Sequence, residues 1–204
     1  MFPGQLRKDA MNAQDVLSIF KQTGALLEGH FQLTSGLHSN QYFQCAKVLQ
    51  YPEHCASLCT VLAADARGRS VQAVVAPALG GIVVGQEVGR QLGVRTMFTE
   101  RKDGTMQLRR GFEIARGERI LVCEDVVTTG GSVNEVIELV QQAGGEVVGV
   151  SCIVDRSGGA VTFPGYAGKH AAVLTMTAVT YKPESCPLCA AGSAAVKPGS
   201  RGNK

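Results

Sequence analysis

Arg119-Ile-Leu-Val-Cys-Glu-Asp-Val-Val-Thr-Thr-Gly-Gly-Ser-Val133 runs from an apolar strand through two adjacent acids and a Thr/Gly/Ser loop into a helix, and its reading decides the fold. Ile120, Leu121, Val122 and Cys123 are continuously apolar, as in a strand covered on both faces within a parallel sheet. Val133, Val136, Ile137 and Val140 recur at helical spacing, and Ser132 with Glu135 reads as a capping box opening that helix. The loop thus lies at a helix N-terminus. There the unpaired N–H groups, the helix dipole and the hydroxyls of Thr128, Thr129 and Ser132 favour an anion, above all a phosphate. Gly130 and Gly131 allow close approach of the main chain. Glu124 and Asp125 would repel a polyphosphate laid on them; they suit vicinal ribose hydroxyls, or a magnesium ion shared with those hydroxyls. A ribose 5-phosphate unit satisfies both halves. Commoner nucleotide signatures are missing, since no Gly-x-x-x-x-Gly-Lys-Ser/Thr occurs and Gly80, Gly81 and Gly85 lack the dinucleotide spacing.

Working outward, strand and helix patterns alternate. Val16, Leu17, Ile19 and Phe20 mark an N-terminal helix, and Cys55, Leu58, Cys59 and Leu62 mark another between Pro52 and Arg67. Val71 to Ala76 reads as a buried strand, residues 81 to 92 as a helix, Val94 to Phe98 as a strand, and Val147 to Val154 as the strand after the signature helix. This order predicts an α/β fold, an open parallel sheet with helices on both faces, whose ligands bind at the C-terminal strand edges. A single domain over residues 1–189 is expected, followed by a frayed, Gly/Pro/Ser-rich tail over 190–204.

Composition narrows the function classes. With 204 residues, 45% hydrophobic and 18% charged, the chain is long enough for one good core. It lacks an apolar run of membrane-spanning length, and Met1 to Ala10 lacks a signal peptide's apolar stretch, so a cytoplasmic protein without a membrane partner is expected. A net charge of +3 without a long basic tract argues against nucleic-acid binding. Seven cysteines, an odd number mostly within apolar patterns, fit a reducing compartment.

The segment from Glu124 to Ser132 resembles the PRPP-binding signature of the type I phosphoribosyltransferases, whose fold adds a small hood from the N- and C-terminal segments. Further segments resemble the orotate branch of that family. The resemblance implies transfer of ribose 5-phosphate from PRPP to orotate in pyrimidine synthesis, with Mg2+ carried by PRPP near Glu124 and Asp125 rather than bound directly by the protein. Glu124, Asp125, Val126, Val127, Thr128, Thr129, Gly130, Gly131 and Ser132 would bind PRPP. Alternative readings are transfer to a purine base or uracil, and a non-catalytic PRPP- or nucleotide-binding regulator of the same fold; the chain lacks the helix-turn-helix or basic face that would favour the latter.

Other strand ends carry residues that read two ways. Pro77-Ala-Leu-Gly-Gly81 permits close approach of an anion or merely a tight turn. The family's pyrophosphate loop falls here, although many orotate enzymes have an aromatic residue and a lysine where this chain has Leu79 and Gly80. Glu100-Arg-Lys-Asp-Gly104, leading to Arg109 and Arg110, is a solvated hairpin tip or a basic loop over a polyphosphate. The resemblance favours the second: Arg101 and Lys102 would cover PRPP, Lys102 and Asp103 would be catalytic, and loop 100–110 would be shared across a homodimer. Asp155-Arg156 is a surface ion pair or presents a guanidinium fork to a planar carboxylate. In the orotate branch the arginine contacts orotate, together with the residue matching Thr128.

The segment Phe31 to Phe43 resembles the family's Leu-Lys-Ser-Gly-x-x-Ser-x-x-Tyr-Phe, with Thr34 where many relatives have lysine. Tyr42 and Phe43 either stack on the base or belong to the core. Cys186-Pro-Leu-Cys189 has metal-ligand spacing, but a structural zinc needs four ligands and no second such cysteine pair exists, so a zinc site within one chain is not expected. Cys55 and Cys59, one helical turn apart, read as core.

Overall fold

The structure, a computed structural model, describes residues 11–33, 35–177 and 179–198. The readings made on Met1–Ala10, Thr34 and residues 199–204 lie outside the described residues. Helix α1 (Ala13–Gln22) starts at a capping box in which Asn12 accepts from Gln14 and Asp15 N–H while Asp15 reaches back to Asn12 N–H. Strands β1 (Leu26–Gln32) and β2 (His38–Phe43) follow as an antiparallel pair. Next come α2 (Ala46–Leu49), α3 (Pro52–Ala66), β3 (Ala73–Pro77), α4 (Gly80–Leu92), β4 (Arg95–Lys102) and β5 (Thr105–Leu108). Strand β6 (Arg119–Val127), α5 (Gly131–Gln142), β7 (Glu146–Asp155) and β8 (Ala171–Thr175) complete the main body. Strand β9 (Thr180–Tyr181), a 3-10 turn at Pro183–Ser185 and α6 (Pro187–Ala190) end the assigned elements.

The main sheet has the order β5-β4-β3-β6-β7-β8, parallel throughout except for the β4–β5 hairpin. Its central strands are buried on both faces, which is why Ala73 to Pro77 and Ile120 to Cys123 carry unbroken apolar runs. Helices α3 and α4 pack on one face over a core that includes Leu58, Leu62, Val84 and Val88. Helix α5 covers the other face with Val133, Val136, Ile137 and Val140. From β3 the chain crosses over α4 to β4 on one side, and from β6 over α5 to β7 on the other. The order therefore reverses between β3 and β6, which is where a doubly wound sheet opens a crevice beyond its C-terminal strand edges.

A second sheet, β1-β2-β9, brings the N- and C-terminal segments together. The tail expected from residue 190 is tied down further than its composition suggests. Val196 N–H donates to His30 O and Gln32 N–H to Val196 O, both at 2.8 Å, because β1 has an open edge. The thiols of Cys186 and Cys189 also find company: they lie with ring nitrogens of His30 and His38, all four ligand atoms within 4.8 Å of one another. Two histidines, not a second cysteine pair, stand beside them. Among the described residues no helix is long and apolar enough to cross a membrane.

Candidate active site

The crevice centres on the turn from β6 into α5. Gly130 is the N-cap of α5 and has φ 77°, the left-handed region that favours glycine; a β-carbon there would also press on Phe163 and Val161 at 2.9 Å. This conformation overturns the expected capping box. With Gly130 as cap, Ser132 falls inside the first turn and has no cap to make. Glu135 turns instead to Arg101, at 2.7 Å. No side chain caps α5, so its first N–H groups stay available to a ligand. A cavity of ≈ 590 Å³ opens over this turn, lined by Glu124, the run Val126 to Val133, Ser35, Tyr42 and Glu135, with Lys197 and Pro198 closing one side.

Glu124 lines the cavity but Asp125 does not; Asp125 N–H donates to Glu124 Oε1 and Val126 N–H to Asp125 Oδ1, both at 2.9 Å. Burial, reinforced by the charge of Asp125, pushes the Glu124 carboxyl well above the usual range. Gly80 and Gly81 at the start of α4 face these acids: a β-carbon on Gly80 would overlap the Asp125 carboxylate, and one on Gly81 would lie 3.1 Å from Glu124 Oε1. These glycines thus make room for the two acids. Leu79, one residue earlier, points outward and is 77% exposed.

Arg156 and Asp155 are not an ion pair. Asp155 is fully buried and accepts from Ser157 N–H at 2.7 Å, Gly159 N–H at 3.0 Å and His170 Nε2 at 2.9 Å. Burial alone would raise its pKa, but these donors outweigh it and hold the carboxyl below its ordinary value. Asp155 thereby fixes the turn that carries Arg156, whose own N–H donates to Val127 O at 2.9 Å. The Arg156 guanidinium lies 6.0 Å from the Phe43 ring centroid, and its Nε is buried without a hydrogen-bond partner. Burial lowers its pKa, against the opposing influence of Tyr42 and Cys45. Among the described residues no carboxylate pairs with it. Tyr42 and Phe43 divide the two roles left open for them: Phe43 is core, whereas half-buried Tyr42 lines the cavity.

The basic segment after β4 is a tight hairpin. Lys102 pairs with Thr105, and Asp103 and Gly104 turn with φ 52° and 81°. Arg101 donates to Gly104 O and to Glu135, and Arg109 and Arg110 both meet Glu100, at 3.2 and 3.0 Å. Arg101, Lys102 and Asp103 do not line the cavity of their own chain, although Arg101 reaches its rim through Glu135. Lys197 does line it and was not anticipated. It sits in a Gly/Pro/Ser-rich stretch without periodicity, and only the pairing of Val196 with β1 brings it there.

Comparison with known proteins fits this geometry. The model of the phosphoribosyl transferase domain matches residues 48–162, from α2 through the signature and beyond Arg156. An orotate phosphoribosyltransferase of Chlorobium phaeobacteroides (strain DSM 266 / SMG 266 / 2430) is 58% identical over 194 residues, 95% of this chain and 99% of that one. Another, of Desulforamulus reducens (strain ATCC BAA-1160 / DSM 100696 / MI-1), is 55% identical over 191 residues, 94% of this chain and 98% of that one. The chain belongs to the orotate phosphoribosyltransferase family. Among solved structures, orotate phosphoribosyltransferase from Aeropyrum pernix superposes with TM-score 0.65 at 24% identity, covering 78% of this chain and 93% of that one. Adenine phosphoribosyltransferase from Rhodothermus marinus DSM 4252 gives 0.63 at 22% identity, covering 81% of this chain and all of that one. Backbone likeness therefore does not distinguish the base.

Proposed function

We propose that this chain transfers the 5-phosphoribosyl group of PRPP to N1 of orotate, giving orotidine 5'-monophosphate and pyrophosphate. The observation that carries the base is Arg156: a largely buried guanidinium with an unpartnered Nε and no protein carboxylate. Such a group is costly to leave alone and is satisfied by a planar carboxylate. Purine bases and uracil have no carboxylate to offer. Thr128 and Tyr42 line the cavity, whereas Arg156 does not; Arg156 is tied to the residue before Thr128 by its N–H on Val127 O, so Thr128 would bind orotate together with it and Tyr42 offers a ring face at the cavity wall.

The 5-phosphate would sit on the N–H groups and hydroxyls of Thr128 to Ser132, with Val126 and Val127 positioning that loop. Ribose hydroxyls would donate to Glu124 and Asp125. Magnesium entering with PRPP fits the same pair, since two adjacent carboxylates, one pushed up by burial, are hard oxygen donors that a cation relieves; when bound, it neutralises charge on the departing pyrophosphate. Bond breaking leaves positive charge on the ribosyl carbon and negative charge on the leaving group. Arg101 and Lys102, in a homodimer sharing loop 100–110, would meet that negative charge, with Asp103 as orienting or acid–base group. Catalysis is then positioning and electrostatics, and a closed hairpin excludes water. The setting is a cytoplasmic one.

The deciding experiment supplies PRPP and magnesium with orotate, uracil, adenine and hypoxanthine in separate reactions. Pyrophosphate release with orotate alone is the expected result. Turnover of another base with none of orotate would overturn the assignment.

A further inference from the structure

We propose that His30, His38, Cys186 and Cys189 form a tetrahedral zinc site that clamps the C-terminal segment onto the β1–β2 sheet, apart from the catalytic crevice. The sequence separates these residues widely, with His30 and Cys189 159 positions apart, and the fold brings their ligand atoms within 4.8 Å of one another. Cys186 Sγ lies 3.5 Å from His30 Nε2, and Cys189 Sγ lies 3.7 Å from His30 Nε2 and 3.3 Å from His38 Nδ1. Zinc–sulfur and zinc–nitrogen bonds of about 2.3 and 2.0–2.1 Å at tetrahedral angles put sulfur and nitrogen about 3.5–3.6 Å apart. The observed distances bracket that edge.

Protonation gives a second, independent argument. His30 Nδ1 lies 2.8 Å from the Ser193 carbonyl, an acceptor, so Nδ1 carries a proton and, in the neutral ring, Nε2 presents its lone pair to the cluster. A carbonyl that orients a histidine in this way is the usual outer partner of a metal-ligating ring. His30 Nε2 in turn lies 2.8 Å from His38 Nδ1, a hydrogen-bond distance about 0.5 Å shorter than the nitrogen–nitrogen edge of a tetrahedral zinc site, so a proton joins the two rings without metal and they part by that amount when zinc replaces it. With two thiols converging on the same point, a cation can take all four lone pairs together. Two thiolates and two neutral imidazoles leave the occupied site uncharged, which suits the burial of His30, His38 and Cys186. Binding releases the two thiol protons to solvent. A mixed sulfur–nitrogen tetrahedron selects zinc among the common divalent ions.

The site also meets a structural need. Neither the 3-10 turn at Pro183–Ser185 nor α6 contains a buried residue, so this segment has little apolar surface with which to hold itself down. Small elements without a core are commonly held by metals. Clamping Cys186 and Cys189 to β1 and β2 fixes the chain that continues through Ser193 to Lys197, and so fixes the residue that closes one side of the cavity.

The test uses the full chain, purified and kept under thiol reductant, then equilibrated with zinc and freed of excess by gel filtration. One zinc per chain is expected, with an X-ray absorption spectrum fitted by two sulfurs at about 2.3 Å and two nitrogens at about 2.0–2.1 Å. Cobalt in place of zinc should give tetrahedral d–d and thiolate charge-transfer bands. Cys189→Ser, at the exposed ligand, should lose most of the metal while remaining folded, and chelator should lower the melting temperature of the parent chain but not of this variant. Metal-free protein with its thiols still reduced overturns the site. So does a first shell without two sulfurs, or undiminished zinc in both Cys189→Ser and His38→Ala.

Discussion

Glu124 is buried and Arg156 partly so, and the two ionisable groups differ in what their removal does. Replacing Arg156 with alanine removes the proposed carboxylate partner, so the orotate KM should rise by the equivalent of about 2–5 kcal/mol. PRPP affinity, measured calorimetrically without orotate, should not move. Because the guanidinium has an unpartnered Nε, the melting temperature of the ligand-free variant should not fall, and equal damage to PRPP binding would refute the division of labour. Glu124 gives a pH signature. Its folded pKa is raised by burial and by Asp125, so the folded state holds this proton more tightly than the unfolded chain does. Stability from this group is full below the ordinary Glu value of about 4.3 and is lost as pH climbs through the raised folded value. Glu124→Gln, which keeps the acceptor for Asp125 N–H, should therefore gain stability relative to the parent as pH rises through that window while PRPP use declines. A melting-temperature difference that does not change with pH would mean that Glu124 ionises normally.

At the scale of elements, the β6–α5 unit and the β4–β5 hairpin meet through one ion pair, Arg101–Glu135. Both partners are about two-fifths exposed, so the pair contributes only about 0–1 kcal/mol to stability. Its larger effect is on charge, because Glu135 lines a cavity proposed to take a polyanion and also holds a cation proposed to meet that polyanion. Glu135→Gln should tighten PRPP binding several-fold by calorimetry and leave the melting temperature nearly unchanged; weaker binding would show that Glu135 orients Arg101 productively. The same unit shows what could be read in the sequence. Strand β6 and helix α5 were legible because burial on both faces and helical periodicity are written into adjacent residues. The start of α5 was not: Ser132 and Glu135 match a capping box, but Gly130 can take φ 77° and moves the cap two positions back. The hairpin was legible only as one of two readings, since local sequence does not reveal that Glu100 and Glu135 are there to receive its arginines. Lys197 and the His30–His38–Cys186–Cys189 cluster depend on contacts between opposite ends of the chain, which no local pattern reports.

At the scale of the whole molecule, Lys102 and Asp103 stand at the tip of the β4–β5 hairpin at one edge of the main sheet, while Arg156 follows β7 on the other side of the β3–β6 switch point, and none of the three lines the cavity. The proposed machinery is thus drawn from opposite sides of the switch point, and a two-fold dimer in which each hairpin serves the neighbouring cavity would bring it together. Complementation tests this directly. Lys102→Ala and Arg156→Ala chains, each nearly inactive at low orotate, are mixed, dissociated and reassociated. If Lys102 acts on the neighbouring site, a mixed dimer has one site with both residues intact and one with neither. Random pairing makes about half of the dimers mixed, so about a quarter of all sites should recover in a symmetric dimer. If Lys102 serves its own chain, every site retains one lesion and nothing recovers. Absence of recovery, with subunit exchange verified by differently tagged chains, would place the hairpin over its own cavity and would require it to swing inward from the position that Glu135 now gives Arg101.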